Sequence, residues 1–391
     1  MPKPKRPQSS TASVVFFSVA MFMVGLQIAE TGAALERMTA SLGLSSSQQG
    51  VLVSLRFIGG LVVGLMLWVG HARVHFKRLL SASLAVVLLT GPLLFAPSYG
   101  VVVLIAALRG LAMGAIIPLS GMFSAAQTAR PSGTVASVVN AALSAGLVIL
   151  SLFATVLAAR LDVGWEIYWA PASVLAVILL LVIPFISFPQ SPKPAPGEEY
   201  RNPAKHTVWG YSVAALFLVG SEGVLLGLMP AQSTVISESA LGGEFLALLL
   251  MTGVLVGRVT GTQLFKTVPS GQVIAGSVAT LVVAALVWSL VPPAAPVLLF
   301  VLGFSTGNLF PGLVSHISET APEGAGATIA SMGWTGGLGG TVIPALTGAS
   351  LGAGLPVRLV TVFVIVPSLI AYLLVRAIGA RRTVNGLSTG R

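Results

Sequence analysis

Long apolar segments recur along this chain and constrain its fold more than any other feature. Each is about 20 residues long, which is the length an α-helix needs to cross the hydrocarbon core of a bilayer. Charged residues make up only 8% of the 391 residues, and the mean hydropathy is +0.95. The chain therefore lacks the polar surface of a soluble protein, and we predict an all-α membrane protein whose solvent is the lipid bilayer. The twelve predicted transmembrane helices run near 14–37, 49–70, 78–96, 99–122, 134–158, 167–188, 208–232, 244–265, 272–291, 295–317, 326–348 and 356–377.

The longest polar stretch lies in the middle of the chain and reads PQSPKPAPGEEYRNPAKH over 189–206. Its proline and charge content is typical of a linker rather than of a span. Six spans precede it and six follow it. The sequence therefore predicts an N-terminal six-helix bundle over 1–188, a cytoplasmic linker over 189–206 and a C-terminal six-helix bundle over 207–391.

The distribution of Lys and Arg predicts the orientation in the membrane. An even number of spans places both termini on one side, and 15 of the 21 basic residues fall in the loops of that side. By the positive-inside rule, both termini and the linker are expected to face the cytoplasm. The basic N-terminus leads into an apolar stretch too long for a signal peptide, so we expect a retained first helix. The absence of an N-x-S/T sequon favours a multi-pass protein of a bacterial inner membrane.

Composition argues against several other function classes. The formal net charge of +10 is spread over helix ends rather than gathered on one patch, so nucleic-acid binding is not expected. The chain has no cysteine, and its four histidines lack the spacing of a zinc site. The sequence contains no nucleophile–base pair, and its Gly-rich run at 336–340 lacks the Lys-Ser/Thr of a phosphate-binding loop. We therefore expect neither an enzyme nor a bound cofactor, and the short loops favour a monomer.

The two halves of the chain repeat each other at an offset of about 194 residues. The matching positions, first half before second, are Phe22–Gly25 with Phe217–Gly220, Gly110 with Gly303, Gly114 with Gly307, Pro118 with Pro311, and Thr134–Ser137 with Thr328–Ser331. Paired positions lie on spans of the same parity, so both halves share one topology. Parallel repeats of this kind are related by an axis along the membrane normal, and substrate binds at their interface near the midplane.

Several motifs resemble those of the major facilitator superfamily. The sequence Leu42-Gly43-Leu44-Ser45, followed by Gln49-Gly50, resembles the short outer loop before the second helix of that family. The motif Arg109-Gly110-x-x-x-Gly114-x-x-x-Pro118 resembles the fourth helix of its proton-coupled members, and Gly164-Trp165 resembles the turn before the sixth. The loop at 70–78 departs from the family pattern G-x-x-x-D-R-x-G-R-R, because the Asp and the second Gly are missing. The resemblance covers nearly the whole chain and implies two pseudo-symmetric six-helix bundles that transport by alternating access.

The C-terminal half most resembles the fucose–galactose–glucose proton symporters. The motif Phe217-x-x-Gly220-x-Glu222 resembles their seventh-helix glutamate motif, and Gly253-x-x-x-Gly257-Arg258 resembles their eighth helix. The segments Gly307–Pro311 and Gly339–Pro344 resemble their tenth and eleventh helices. The N-terminal half differs, since Ala115-Ile116-Ile117 occupies the region where fucose permease has a carboxylate in its fourth helix. This second resemblance implies a proton symporter for a sugar.

Charged residues inside spans need a physical reason, because insertion of a charge at mid-bilayer costs about 2.5–3.5 kcal/mol. Glu222 lies near the centre of the seventh span, and Gln27 occupies the matching repeat position in the first. A carboxylate shielded from water is protonated more readily, as a proton-coupled carrier requires. We predict Glu222 as a coupling group and the proton as coupling ion, the alternative being a permanent bond to a neighbouring donor.

Three arginines and one further glutamate are predicted in the spans. Arg109, near the centre of the fourth span, either faces the cavity or ties its helix to a neighbour. Glu30 and Arg56 lie in the outer halves of adjacent spans and are expected to pair as a structural or gating ion pair. Arg258 is expected near the cytoplasmic end of the eighth span, where it would snorkel to the surface or anchor an inner gate.

Three uncharged residues complete the candidate substrate site. Asn140 and Trp334 align across the repeat, and Asn308 lies one turn before Pro311. An asparagine in a span needs hydrogen bonds, either from substrate or from another helix. Trp334 could stack on a sugar ring or fill space in the packing.

The leading interpretation is a proton-coupled symporter for a small polar solute such as a sugar. Two alternatives stay open: proton-coupled efflux of lipophilic drugs, which the Arg109 motif favours, and an uncoupled facilitator, in which Glu222 would be structural.

Overall fold

The computed structural model describes residues 11–70, 75–95, 98–125, 132–161, 164–188, 205–237, 241–320 and 325–388. These residues fold almost entirely into α-helix, as the apolar spans predict. Most of the predicted linker, 189–204, lies outside the described residues, while Lys205 and His206 already belong to a helix. Residues 71–74 of the divergent loop motif also lie outside the described part.

The described residues of the N-terminal half form seven α-helices. They are α1 (Thr11–Leu42), α2 (Ser46–Leu55), α3 (Ile58–Gly70), α4 (Phe76–Thr90), α5 (Tyr99–Ala125), α6 (Ser132–Arg160) and α7 (Ala170–Val182). Short 3₁₀ turns at Pro92–Phe95, Trp165–Trp169 and Ile183–Phe185 lie at the ends of α4 and α7. The loop between α1 and α2 is fixed by Gly43, whose φ is +63°, and by Ser45, which forms a capping box with Gln48.

In the C-terminal half, the part of the chain that the structure describes also forms seven α-helices. They are α8 (Lys205–Gly227), α9 (Met229–Ser237), α10 (Gly243–Thr267), α11 (Ser270–Leu290), α12 (Ala295–Thr320), α13 (Ala325–Gly352) and α14 (Val362–Ser388). Further 3₁₀ turns lie at Pro292–Ala294 and Val357–Thr361. The pairs α2–α3 and α8–α9 each make one interrupted span, so each half crosses the membrane six times.

Eleven segments of the described chain are long and apolar enough to cross a membrane. The remaining span is α13, whose 28 residues extend about 42 Å at 1.5 Å per residue. Its many glycines and threonines lower its hydropathy, and it packs between α8 on one side and α2 and α3 on the other. Because other helices cover it, α13 does not need an apolar surface all round.

The interruptions fall in the second and seventh spans. The second span breaks at Arg56 and Phe57, where the Phe57 N–H bonds to Ser54 O, a 3₁₀-type contact that tightens the turn. The seventh span breaks at Leu228, between Gly227 and Pro230. Proline is tolerated at the first turn of the helix that follows the break, because it has no N–H to donate.

The repeated glycines allow the same close helix contact in both halves. Gly110 and Gly114 bring α5 against the backbone of the second span, and their counterparts Gly303 and Gly307 bring α12 against α10. At each of these positions a Cβ would overlap backbone atoms of the neighbouring helix. The sequence repeat thus corresponds to a repeated close contact between the second and fourth spans of each half.

Small residues also form the longest contact between the halves. The helix α13 runs antiparallel to α2 and α3, with Gly348 against Gly50 and Gly337 against Gly60. A Cβ added to Gly50 would lie 2.7 Å from Gly348 Cα. The Gly-rich run at 336–340 therefore serves close helix packing. A second contact joins α6 to α10.

Candidate functional site between the two halves

Glu222 and Arg258 form an ion pair at the interface between the halves. Glu222 projects from α8 and Arg258 from α10, and Arg258 Nη2 lies 3.7 Å from Glu222 Oε1. Arg258 Nη1 donates a 3.0 Å hydrogen bond to Ser144 Oγ on α6, which belongs to the N-terminal half. The side chains of Glu222 and Arg258 are 21% and 17% exposed. The pair therefore keeps some accessible surface where the two halves meet.

The contacts of Arg258 bear on its two expected roles. Its guanidinium bonds to a carboxylate within its own half and to a hydroxyl of the other half. These bonds differ from the solvent contact of a snorkelling residue. The alternative, in which Arg258 anchors an inner gate, stays a prediction.

Arg109 and Glu30 form a second ion pair, sealed within the N-terminal half. Arg109 Nη1 lies 2.5 Å from Glu30 Oε2, and the two side chains are 2% and 3% exposed. The remaining Arg109 nitrogens donate to Thr90 Oγ1 at 2.9 Å, and to Trp169 O and Ser173 Oγ at 2.9 and 2.7 Å. The guanidinium also lies 5.3 Å from the centroid of the Trp169 ring. All three guanidinium nitrogens thus have partners, and Arg109 ties together α1, α4, α5 and the region that begins α7.

The expected ion pair between Glu30 and Arg56 is wrong. Glu30 pairs with Arg109 instead, and Arg56 Nη1 donates a 2.6 Å hydrogen bond to the backbone carbonyl of Ile28. Arg56 is 3% exposed, and its guanidinium carbon lies 5.1 Å from the Phe57 ring centroid. Within the described residues, Arg56 Nε and Nη2 have no hydrogen-bond partner.

Gln27 and Asn308 are buried side chains on α1 and α12. No partner for either amide atom of Gln27 is found in the part of the chain that the structure describes. Asn308 Nδ2 donates to Phe304 O of its own helix at 3.2 Å, and its Oδ1 lies against Gly261 of α10. Asn308 therefore packs between two helices of one half, while Gln27 keeps its full hydrogen-bonding capacity.

Asn140 and Trp334 lie on two helices that contact the opposite half, α6 against α10 and α13 against α2 and α3. Asn140 is exposed, and its carbonyl accepts the hydroxyl of Ser144, the residue that binds Arg258. Trp334 makes an edge-to-face contact with Trp209 at 6.1 Å between ring centroids, and its backbone lies against Gly64 of α3. The structure thus brings Asn140 to the face of α6 that carries Ser144, whereas Trp334 fills space between α3, α8 and α13.

The two halves are closed together on the membrane side opposite the termini, which we call the far side. Arg37 at the end of α1 pairs with Glu244 at the start of α10, with 2.5 Å between Nε and Oε1. The preceding residue, Glu36, accepts the backbone N–H of Gly243 at 2.6 Å. Gln232 of α9 donates to Gln49 of α2 at 3.2 Å.

Sequence reasoning did not single out these far-side residues, because they lie at span ends where charges are common. Their only signal was an adjacent Glu36-Arg37 pair at the end of one span and Glu244 at the start of another. No group of three or more His, Asp or Glu side chains is placed to hold a metal ion in the described ranges.

Comparisons with known proteins agree with this architecture. A family model described as the Major Facilitator Superfamily matches residues 15–344. No curated protein matches the chain in sequence.

Solved structures of transporters have a similar fold. FucP in its outward conformation has a TM-score of 0.68 at 12% identity, and the match covers 94% of this chain and 99% of the FucP chain. A variant of the E. coli fucose:proton symporter FucP has a TM-score of 0.67 at 12% identity, covering 95% and 99%. A bacterial homologue of the human lysosomal transporter Spinster, inward-facing and occupied, has a TM-score of 0.64 at 14% identity, covering 96% of both chains.

Proposed function

Because this chain belongs to the major facilitator superfamily, we propose that it is a secondary active transporter that moves a small polar solute together with a proton. The observation that carries the proposal is the Glu222–Arg258 pair, which lies between the halves and bonds to both of them. Buried charges in a membrane protein are costly unless they serve packing or transport. This pair is partly exposed, so packing does not account for it.

The geometry supports a specific role for each member of the pair. Ionised Glu222 attracts Arg258, but at 3.7 Å the contact is longer than a tight charge-assisted hydrogen bond. Protonation of Glu222 removes that attraction and leaves Arg258 free to bind solute. Because Arg258 also bonds to Ser144 of the other half, its rearrangement changes the relative free energies of the open states.

We propose that the terminal side faces the cytoplasm, as the distribution of basic residues indicates. The far-side contacts then lie on the outer face, so the closure described above shuts the protein toward the outside. Solute would leave toward the cytoplasm along the exposed face of α6 that carries Asn140.

A second candidate function is the efflux of lipophilic compounds. A groove of about 430 Å³ opens between α1, α6 and α7, and apolar side chains line it, including Phe22, Ile149 and Phe153. Such a surface suits an apolar ligand that enters from lipid. Neither residue of the Glu222–Arg258 pair lines this groove. Symport therefore requires Glu222, whereas ligand binding in the groove does not.

The deciding experiment measures proton uptake or release when candidate solutes are added to purified protein in weak buffer. The wild type is compared with Glu222→Gln and with Glu319→Gln, which removes a carboxylate near the end of α12. Symport predicts a solute-dependent proton signal that Glu222→Gln abolishes and Glu319→Gln retains. Solute binding without proton movement in the wild type would favour an uncoupled facilitator, and growth protection against lipophilic toxins would favour efflux.

A further inference from the structure

Arg56 carries a buried positive charge that forms no ion pair within the described residues. Its side chain is almost fully buried, yet its one hydrogen bond is to a neutral backbone carbonyl. Burial of a guanidinium without compensating partners is unfavourable, so such a group calls for an explanation. Two carboxylates lie nearby, but each already forms an ion pair with another arginine.

Both carboxylates whose charges act on Arg56 are already engaged. They are Glu30 and Glu222, and each lies within an ion pair with another arginine. Together with their partners, this group of described side chains comprises two carboxylates and the three guanidiniums of Arg56, Arg109 and Arg258. Arg56 supplies the excess charge of +1 at the interface between the halves.

The unpaired atoms of Arg56 have the geometry of an oxyanion site. Nη1 is held by the Ile28 carbonyl, while Nε and Nη2 are free within the described residues. Those two nitrogens share one edge of the planar guanidinium, the edge that binds both oxygens of a carboxylate at once. The hydrogen bond to Ile28 fixes the orientation of the guanidinium, so that the side chain loses less conformational entropy when it binds an anion.

The surroundings of Arg56 place this edge beside interruptions in two helices, one from each half. Arg56 lies at the break of the second span, and its Nη2 faces Gly227, beside the break of the seventh span. A Cβ at Gly227 would lie 2.9 Å from Nη2, so glycine leaves room for this buried nitrogen between the two interrupted helices. Interrupted helices from two halves that meet at a polar group are the usual construction of a transporter binding site.

We propose that Arg56 binds a single carboxylate, or a planar monoanion of the same shape, on the transported solute. The inference rests on the proposed transport function and names its substrate class: a small organic monoanion, such as a sugar acid, rather than a neutral sugar. A proton on Glu222 together with a monoanion on Arg56 leaves the total charge between the halves unchanged. The empty and the loaded carrier then have the same net charge when they change conformation.

The test uses matched ligands that differ in charge. Gluconate and glucuronate are compared with glucose, and lactate, acetate and nitrate extend the series of monoanions. Binding is measured by thermal stabilisation and by calorimetry on the purified full-length protein. The variants are Arg56→Lys, which keeps the charge but loses the fork, Arg56→Gln, and Lys266→Gln as a control at an exposed cation near the end of α10.

We expect at least one monoanion to bind the wild type and the Lys266→Gln control, with affinity reduced about tenfold or more in Arg56→Lys and Arg56→Gln. Size-exclusion profiles that match the wild type establish that the variants are folded. The inference is overturned if no monoanion of the series binds, or if Arg56→Gln retains the affinity. Proton movement with a neutral sugar, unaffected by Arg56→Gln, would overturn this inference and leave the proposed function standing. Anion binding through Arg56 without proton movement would support this inference and contradict the proposed proton symport.

Discussion

The Arg258 guanidinium lies 3.7 Å from the Glu222 carboxylate, and both side chains are partly exposed. A pair in this setting is held more loosely than one that is fully buried, because solvent competes for both charges. Looseness suits the transport role proposed above, in which each partner exchanges the other for a proton or a solute. The sealed pair of Arg109 and Glu30 is the contrasting case within the same chain.

Neutralising one member of the central pair should cost more stability than neutralising both. Arg258→Gln leaves the negative charge of Glu222 poorly compensated, and Glu222→Gln leaves the positive charge of Arg258 poorly compensated. We expect each single variant to lose about 1–3 kcal/mol and the double variant to lose less than the larger of the two. Thermal melting of the four proteins at one pH measures the coupling. Additive losses would mean that the two groups do not interact.

The buried pair in the N-terminal half should behave as a structural element. Glu30→Gln or Arg109→Gln leaves an unpaired charge or several unpaired donors in a sealed site, at a cost of about 3–5 kcal/mol. We expect both variants to show reduced yield and a lowered melting temperature, with Arg109→Gln the more severe because it breaks four hydrogen bonds. A stable Arg109→Gln protein with lost substrate binding would contradict this assignment and return Arg109 to the substrate site.

The spans, the repeat and the superfamily could be predicted because each depends on local or periodic features of the sequence. Hydropathy over about 20 residues marks a span, and repeated glycines at matching positions mark the close contacts of Gly114 and Gly307. The interruption at Arg56 was not predicted, since Arg and Phe have no strong preference against helix. It depends on packing around the neighbouring spans.

The partners of the charged residues could not be predicted with the same success. Glu30 and Arg56 were assigned to each other from similar depth on adjacent spans, but depth says nothing about the direction in which a side chain leaves its helix. Arg109 is nearest to Glu30 because α5 presents it toward α1 and α7. The rotation of each helix about its own axis depends on its packing against all its neighbours. That packing cannot be predicted from local patterns in a single sequence.

Weakening the far-side closure should open the protein on that side. The Arg37–Glu244 pair is partly exposed, so Glu244→Gln is expected to shift the equilibrium by about fivefold, corresponding to about 1 kcal/mol. The chain contains no cysteine, so a single Val53→Cys substitution provides a specific reporter at a fully buried position of α2. We expect an impermeant maleimide to label this cysteine faster in the Glu244→Gln background.

The matched control for that experiment is Glu166→Gln, which removes a carboxylate at the start of the 3₁₀ turn before α7. It should leave the labelling rate of Val53→Cys unchanged. Equal rates in both backgrounds would mean that the ion pair does not hold the halves together.

The glycine contact between α13 and α3 should be sensitive to a single added methyl group. A Cβ at Gly337 would overlap the backbone of Gly60 and Leu61, whereas a Cβ at Gly333 on the same helix has nothing within 4 Å. Gly337→Ala must therefore push the halves apart along their longest shared contact, and overpacking of this kind costs about 1–3 kcal/mol. Gly333→Ala should be neutral or slightly stabilising, because alanine favours helix by about 1 kcal/mol over glycine. Melting temperature and transport rate, measured side by side for the two variants, check both statements. If Gly337→Ala melts and transports like Gly333→Ala, then α13 and α3 do not approach as closely as the structure places them.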